Sequence, residues 1–213
     1  MLIALDLDDT LYLERYYVRS GFQAVDQWLK IHCSFEDFFN EAWSLFESGK
    51  RKTIFNMVLE SKGLFDETVI KELVNIYRTH IPSITLAADA KEFLRNHHKK
   101  ENLALITDGP AIAQWSKIKA LDIEKYFGKI IVTDDLGANY SKPNPDVFKM
   151  VQGSLPCSVC VYIADNPLKD FAAPASLGWM PSIRVRRPGS LHYDCPTPDY
   201  CIEAASLDDV VVF

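Results

Sequence analysis

The chain opens with an apolar segment that runs directly into acidic residues, Leu2-Ile3-Ala4-Leu5-Asp6-Leu7-Asp8-Asp9-Thr10. A short run that is apolar at every position is typical of a strand buried on both faces in a parallel sheet. Three carboxylates within four positions at the end of such a strand repel one another and lose solvation, unless a cation lies among them. A polar turn after the strand is the simpler alternative, because Asp is common in turns. The rest of the sequence decides between a metal site and a turn.

Composition limits the classes of protein to which the chain can belong. With 213 residues, of which 48% are hydrophobic and 24% charged, the chain can bury the core of a globular protein. A net charge of −6 argues against a general affinity for nucleic acid. No apolar run approaches the roughly 20 residues that span a bilayer, and no cleavable leader precedes the first strand. We therefore expect no membrane segment and a cytoplasmic location.

The five cysteines are too scattered for a disulfide framework in a chain of this length. Cys157 and Cys160 have the C-x-x-C spacing of zinc and redox sites. A zinc site needs a second closely spaced pair, and a redox pair opens a helix, whereas Cys160 leads into an apolar strand. We expect reduced, packed thiols.

Residues 14–81 carry helical periodicity and almost no strand signal. Apolar residues recur there at three- and four-residue spacings, which is the pattern of helices with one buried face. We predict a long first helix, a second helix with Ser34 as its N-cap that ends at Gly49, and two further helices at 53–62 and 67–80. This block predicts a small helical domain.

Beyond Pro82, strands and helices alternate as in βαβ units. The predicted strands are 103–106, 129–133, 159–164 and 182–185, and the predicted helices are 89–99, 110–121, 143–151 and 169–177. The proline-rich tract 184–198 reads as a surface loop, and 210–213 close the chain. The pattern predicts an α/β fold, a Rossmann-like three-layer core with a central parallel sheet, formed by 1–13 and 82–213 around the inserted helical block 14–81.

Polar residues follow the predicted strands, and in a parallel sheet those strand ends form one ligand-binding edge. The four clusters, in chain order, are D-x-D-x-T at Asp6, Asp8 and Thr10, then Thr107-Asp108-Gly109, then Lys142 in Ser141-Lys142-Pro143-Asn144-Pro145, then Asp165-Asn166 with Asp170. Taken singly, Lys142 could be a surface lysine, and the others could be turn residues or helix caps. Taken together and in this order, they resemble the haloacid dehalogenase-like superfamily, and within it the phosphatases with an aspartate nucleophile.

The resemblance covers essentially the whole chain and implies a role for each cluster. Asp6 would attack phosphorus to form an aspartyl-phosphate, and Asp8 would protonate the leaving oxygen and then activate water. Lys142 and Thr107 would contact the phosphoryl oxygens. Asp6, the backbone carbonyl of Asp8 and the side chain of Asp165 would hold Mg²⁺. The supporting residues would be Thr10, Asp108, Gly109, Asn166 and Asp170.

Two details qualify this match. For Asp8 to donate a proton while Asp6 is ionised, the pKa of Asp8 has to lie above that of Asp6. Many relatives have glycine immediately before the aspartate of the fourth motif, where this chain has Ala164. The substitution is small, so it concerns the shape of that loop rather than its charge.

The resemblance also identifies the helical block 14–81 with the cap that one subclass carries between the first and second motifs. Phosphoglycolate-phosphatase-like and beta-phosphoglucomutase-like enzymes belong to that subclass. Candidate substrate contacts in or beside the cap are Arg15, Arg19, Arg51 and Lys52, with solvated surface charges as the alternative. A second candidate group follows the last predicted core strand and comprises Arg184, Arg186, Arg187 and His192.

The sequence thus predicts a Mg²⁺-dependent phosphatase acting on a small phosphorylated metabolite, such as a sugar phosphate, a nucleotide or a phospho-acid. We expect no nucleic-acid or membrane partner, and a monomer or homodimer. A dehalogenase is disfavoured because a halide leaving group needs no acid, and Asp8 is present. A sugar phosphomutase shares all the catalytic residues and stays open. The alternative from a different class is a binding or regulatory module without catalysis.

Overall fold

The computed structural model describes residues 1–155 and 157–211, which divide into two compact units. Unit 1 comprises Met1–Arg15 with Ile84–Phe213, and unit 2 comprises Tyr16–Ser83. The units meet between residues 15 and 16 and between residues 83 and 84. Each of these junctions lies two residues beyond its predicted position, which was between 13 and 14 for the first and between 81 and 82 for the second. The interpretation of unit 2 as a cap stays a prediction.

Four helices follow the first strand: α1 (Glu14–Cys33), α2 (Phe38–Glu47), α3 (Ile54–Ser61) and α4 (Glu67–Thr79). Aromatic rings fill the interior of unit 2, where Phe22 contacts the rings of Phe38, Phe46 and Phe55 at centroid distances of 6.0–6.4 Å. The carboxylate of Asp66 caps α4 by accepting the backbone N–H groups of Thr68 and Val69.

The start of α2 differs from the prediction. Ser34 does not cap this helix but lies four residues before it with a φ of +52°. Asp37 precedes α2 instead and has a left-handed conformation. Its carboxylate does not cap the backbone N–H groups of the helix, but it accepts the side-chain amide of Asn40 at 3.4 Å.

Unit 1 contains one six-stranded sheet in which all neighbouring strands are parallel. The strands are β1 (Leu2–Leu5), β2 (Asn102–Thr107), β3 (Lys129–Val132), β4 (Cys160–Ala164), β5 (Ser182–Val185) and β6 (Cys201–Ala204). Their order is β3-β2-β1-β4-β5-β6, and Ile3 of the central strand lies opposite Leu103 and Val161. All four residues of β1 are buried, as the continuous apolar run predicts. The predicted α/β fold with a central parallel sheet is confirmed.

The helices of unit 1 are α5 (Ala88–His97), α6 (Ala111–Ala120), α7 (Asp146–Ser154) and α8 (Ala172–Ser176). Short 3₁₀ turns lie at Glu124–Tyr126, Thr133–Leu136, Ala138–Tyr140 and Leu207–Asp209. Among the described residues, no helix is both long and apolar enough to cross a bilayer.

Two predictions in unit 1 need correction, and one lies partly outside the described residues. β6 lies just beyond the predicted proline-rich loop and was missed, and the helix predicted at 169–177 is limited to α8. Of the closing residues 210–213, the first two are irregular and the last two lie outside the described residues.

One aromatic cluster fixes the sheet against the helix that precedes β4. The ring of Phe148 on α7 packs edge-on against Tyr162 of β4 at 5.0 Å and against Trp179 at 5.5 Å. Ala164, the residue immediately before Asp165, is fully buried in the same cluster. Packing of this kind sets the positions of the strand ends, where the acidic residues begin.

Candidate active site

Asp6, Lys142 and Asp170 form a buried ionic cluster at the carboxyl edge of the sheet. The Lys142 ammonium lies 2.7 Å from Asp6 Oδ1, 2.7 Å from Asp170 Oδ1 and 3.1 Å from the Tyr162 hydroxyl. Burial raises the pKa of Asp6 to about 6, although Lys142 opposes the shift. For Lys142, burial is outweighed by the two carboxylates, which hold its pKa well above the ordinary value. Lys142 is therefore a fixed cation beside Asp6.

Asp165 directly follows β4 and lies beside this cluster. Asp6, Asp165 and Asp170 each offer a carboxylate oxygen, and these atoms lie within 4.8 Å of one another. Asp165 Oδ2 is buried with no hydrogen-bond partner among the residues that the structure describes. Burial, and then repulsion from Asp6 and Asp170, raises the pKa of Asp165 well above its ordinary value.

The two oxygens of Asp170 are already engaged, one by Lys142 and the other by the backbone N–H of Asn166. Asp6 and Asp165 are therefore the carboxylates best suited to a hard divalent cation such as Mg²⁺, because a cation would relieve both their repulsion and the orphaned oxygen. The participation of the Asp8 backbone carbonyl stays a prediction.

Asp8 is held by three side chains. Lys117 Nζ lies 2.8 Å from each carboxylate oxygen, Gln114 Nε2 lies 3.1 Å from Oδ2, and the Tyr12 hydroxyl donates to Oδ1. Although burial opposes the shift, these contacts, with Lys117 foremost, hold the pKa of Asp8 below its ordinary value. The sequence predicted the opposite order, with the pKa of Asp8 above that of Asp6. The reason for the difference is Lys117, which the sequence analysis did not place at the site.

Gln114 also joins Asp8 to the turn that follows β2. Its Nε2 contacts Thr107 Oγ1 and lies 2.9 Å from the carbonyl oxygen of Asp108. Gly109 follows with a φ of +134°, and a Cβ atom there would lie 3.2 Å from Gln114 Cδ. Glycine fits this position because it tolerates both the conformation and the close approach.

The side chain of Asp108 connects three loops at the same edge. Its Oδ1 accepts the Thr133 hydroxyl at 2.9 Å and the backbone N–H of Lys142 at 3.1 Å, and its Oδ2 lies 2.9 Å from Lys169 Nζ. Although burial opposes the shift, Lys142 and Lys169 hold the pKa of Asp108 below its ordinary value. Asp108 thus fixes the backbone that carries Lys142.

The segment between β5 and β6 reaches the site as well. Asp9 accepts the backbone N–H groups of Glu14 at 2.8 Å and Leu191 at 2.7 Å. Beside it, Asn166 Nδ2 lies 2.9 Å from His192 Nε2. Asp9, which the sequence left without a chemical role, therefore anchors this segment next to the first motif.

A cavity of about 110 Å³ lies among these groups. Six carboxylates line it, together with one amide, one ammonium and one imidazole: Asp6, Asp8, Asp9, Glu14, Asp108, Asp165, Asn166, Lys169 and His192. Such an excess of acidic groups is costly unless cations are present. The cavity has the chemistry of a metal-assisted site for an anionic substrate.

Comparison with known proteins now decides the family. The model of the family described as haloacid dehalogenase-like hydrolase matches residues 1–178. The chain belongs to this family. The resemblance to the haloacid dehalogenase-like superfamily and the prediction of a hydrolase are both confirmed.

Three similar proteins illustrate the family. Glyceraldehyde 3-phosphate phosphatase of Methanocaldococcus jannaschii is 26% identical over 195 residues, which are 86% of this chain and 83% of that protein. Human N-acylneuraminate-9-phosphatase is 26% identical over 129 residues, 59% of this chain and 51% of that protein. YfnB of Bacillus subtilis, described as a HAD-hydrolase bound to magnesium, has a TM-score of 0.66 at 17% identity, covering 97% of this chain and 95% of that one.

The three arginines in and after β5, which the sequence offered as substrate contacts, are engaged by other groups of the protein. Arg184 is buried and donates to the carbonyl oxygen of Asp165 at 3.0 Å. Arg187 forms an ion pair with Asp89 at 2.7 Å, and Arg186 bonds the backbone of its own loop. His192 alone of that group lines the cavity.

The four candidate contacts in or beside the helical block have varied settings. Arg15 is half-buried within unit 1, whereas Arg19, Arg51 and Lys52 are exposed in unit 2. Arg51 donates to the carbonyl oxygen of Phe46 at 2.6 Å, and its guanidinium lies 4.3 Å from the centre of the Phe46 ring. Contact of these residues with substrate stays a prediction.

Sequence reasoning missed Gln114 and Lys117. They lie three residues apart on α6, and the other buried residues of that helix, Ala113 and Ile118, are apolar. Two polar groups on an otherwise apolar, buried helix face are a signal that the sequence contains.

Glu14 at the cavity supplies a pH-dependent prediction. Burial, and then repulsion from Asp8, raises the pKa of Glu14 to about 8. When folding raises the pKa of an acid, the charged form is disfavoured in the folded protein. The folded protein therefore loses stability as the pH rises from the unfolded pKa, near 4.5, through the folded pKa. Glu14→Gln should therefore stabilise the metal-free protein progressively from about pH 4.5 to pH 8.

The measurement is the Tm of both proteins in EDTA across this pH range. Because solvent partly screens a half-buried group, we expect a gain of roughly 1 kcal/mol at pH 8, or about 2–4 °C. The exposed Glu92→Gln serves as the matched control for the removal of one acidic side chain. A Glu14→Gln difference in Tm that does not vary across the pH range would contradict the assignment.

Proposed function

We propose that this chain is a Mg²⁺-dependent phosphatase that hydrolyses a small phosphorylated metabolite through an aspartyl-phosphate on Asp6. The observation that supports this most strongly is the buried Lys142 ammonium at 2.7 Å from Asp6. The phosphatase class also agrees with the names of the two relatives described above, both of which are phosphatases.

Asp6 is the proposed nucleophile. Its Oδ1 faces Lys142, and with a pKa of about 6 it is largely ionised at neutral pH. The carboxylate attacks phosphorus, and the bond between phosphorus and the leaving oxygen breaks with the electron pair on that oxygen. Lys142 and the Thr107 hydroxyl stabilise the negative charge on the phosphoryl oxygens.

Asp6 and Asp165 are the residues that would hold Mg²⁺. Bound there, the ion supplies a divalent positive charge that offsets repulsion between the attacking carboxylate and the phosphate dianion. Asp170 supports the site indirectly, because it pairs with Lys142 at 2.7 Å and thereby fixes the ammonium.

Asp8 is the proposed proton carrier. The negative charge of a bound phosphate raises the pKa of a nearby carboxyl group, which counteracts the lowering by Lys117 and favours the protonated form needed for the leaving oxygen. Once ionised, Asp8 can accept a proton from the water that attacks the aspartyl-phosphate. The water oxygen then ends in inorganic phosphate, and Asp6 is released as a carboxylate.

For the substrate, we propose a short phosphorylated sugar or sugar acid with a primary phosphate. The two curated relatives are named for glyceraldehyde 3-phosphate and N-acylneuraminate 9-phosphate, which share that feature. We further propose that unit 2 is the cap and contributes to this choice. A phosphomutase on the same catalytic residues is the second candidate, and a binding module without catalysis is the third.

One assay separates these candidates. The purified protein is incubated with glyceraldehyde 3-phosphate, N-acylneuraminate 9-phosphate, hexose 1- and 6-phosphates, nucleotides and phosphoglycolate, with Mg²⁺ or with EDTA. We expect free phosphate from at least one substrate with Mg²⁺ and none with EDTA. Isomerised hexose phosphate without net phosphate release would favour the mutase, and binding without turnover would favour the module.

A further inference from the structure

Lys117 and Gln114 extend from one face of α6, because residues three apart on a helix are neighbours. Both are buried: Lys117 is 4% exposed and Gln114 is 1% exposed. A buried ammonium is tolerated only when it is paired, and Lys117 forms an ion pair with Asp8 at 2.8 Å. Helix α6 thus directs two buried polar groups at one carboxylate of the active site.

We propose that Lys117 and Gln114 are positioning residues that hold the carboxyl group of Asp8 in the orientation needed for proton transfer to the leaving oxygen. This inference rests on the proposed function, in which Asp8 carries the proton. Lys117 Nζ is equidistant, at 2.8 Å, from the two oxygens of Asp8, and Gln114 Nε2 lies 3.1 Å from one of them. Donors fixed to one helix and reaching both oxygens restrict rotation of the carboxyl group.

Gln114 also couples Asp8 to the phosphoryl-binding turn. Its Nε2 contacts Thr107 Oγ1 and is 2.9 Å from the Asp108 carbonyl oxygen. One side chain therefore sets the separation between the proton carrier and the hydroxyl that faces the phosphoryl group. Proton transfer requires heavy atoms within hydrogen-bond reach, so a small displacement of Asp8 reduces its rate strongly.

The test uses the demand of the leaving group for a proton. p-Nitrophenolate departs without protonation, whereas an alkoxide needs the proton from Asp8. kcat/KM reports the steps up to departure of the leaving group, so it isolates this proton transfer from the later attack of water. We compare the wild type with Lys117→Met, Lys117→Arg and Gln114→Met on p-nitrophenyl phosphate and on glyceraldehyde 3-phosphate.

Lys117→Met should lower kcat/KM by about 100-fold for the alkyl phosphate and by less than about fivefold for p-nitrophenyl phosphate. Lys117→Arg should recover at least about tenfold of the alkyl-phosphate loss, because it restores a cationic donor. Gln114→Met should lower kcat/KM by about tenfold for the alkyl phosphate and should again affect p-nitrophenyl phosphate less.

Equal losses on both substrates would overturn the proposal, because a residue that only stabilises the fold affects both alike. An unchanged rate on the alkyl phosphate would overturn it too. Cooperative melting of each variant is the folding control, and Gln114→Met carries the comparison if Lys117→Met does not fold. If the panel above identifies a better alkyl phosphate, that ester replaces glyceraldehyde 3-phosphate in this comparison. A wild type inactive on p-nitrophenyl phosphate and on every ester of the panel would overturn the proposed function itself, an outcome distinct from a loss of selectivity in the variants.

Discussion

Asp6→Asn is expected to abolish phosphate release, with a fall in kcat of at least about 1,000-fold. The amide keeps the shape of the side chain but is not a nucleophile toward phosphorus. Stability should change little, because Lys142 keeps its ion pair with Asp170 at 2.7 Å. Burial also already disfavours the charged form of Asp6, as its pKa of about 6 indicates. The measurement is Mg²⁺-dependent hydrolysis together with Tm.

The exposed Asp199→Asn is the matched control and should keep wild-type activity. Loss of activity in Asp6→Asn together with loss of its melting transition would point to the fold rather than to the nucleophile. Wild-type turnover by a folded Asp6→Asn protein would contradict the mechanism.

Lys142→Met is expected to remove both activity and much of the stability. It leaves the carboxylates of Asp6 and Asp170 buried beside one another without the ammonium that lies 2.7 Å from each. Breaking a buried ion pair from one side costs about 3–5 kcal/mol. Chemical denaturation at pH 8 without metal measures this change.

Two further variants test whether the loss of stability comes from the stranded carboxylates. Lys149→Met removes an exposed lysine that lies 3.0 Å from Asp146, and its effect should stay within about 0.5 kcal/mol. Adding Asp170→Asn to Lys142→Met removes one stranded carboxylate, so it should recover part of the stability and none of the activity. A Lys142→Met protein as stable as the Lys149→Met control would contradict the ionic cluster.

The sheet and its acidic edge could be predicted because their signals are local. The buried run of β1 (Leu2–Leu5) and the strands that follow 82 are short apolar segments between turn residues, and a parallel sheet brings their carboxyl ends together. Lys142 could be placed beside Asp6 only through the family resemblance, since 136 residues separate them.

Other features depend on tertiary contacts that spacing does not reveal. β6 (Cys201–Ala204) is a four-residue edge strand with only one buried residue, so it carries no apolar pattern. Lys117 was missed because a lysine on a helix is ordinarily solvated, whereas here the ammonium is buried 2.8 Å from Asp8, a residue distant in the sequence. The predicted order of the Asp6 and Asp8 pKa values was wrong for the same reason, because it did not include Lys117. The start of α2 was misplaced because Ser34 and Asp37 are both acceptable caps by residue type.

The most direct test of the account is a burst experiment with Asp8→Asn and p-nitrophenyl phosphate. This leaving group needs no proton, whereas the attack of water on the intermediate loses its base, so the aspartyl-phosphate should accumulate. We predict a rapid release of p-nitrophenolate equal to the amount of enzyme, followed by slow turnover. Acid quenching, digestion and mass spectrometry should then find the phosphoryl group on Asp6. Linear release without a burst, together with a phosphoryl group on another residue or on none, would contradict the central claim that Asp6 is the nucleophile.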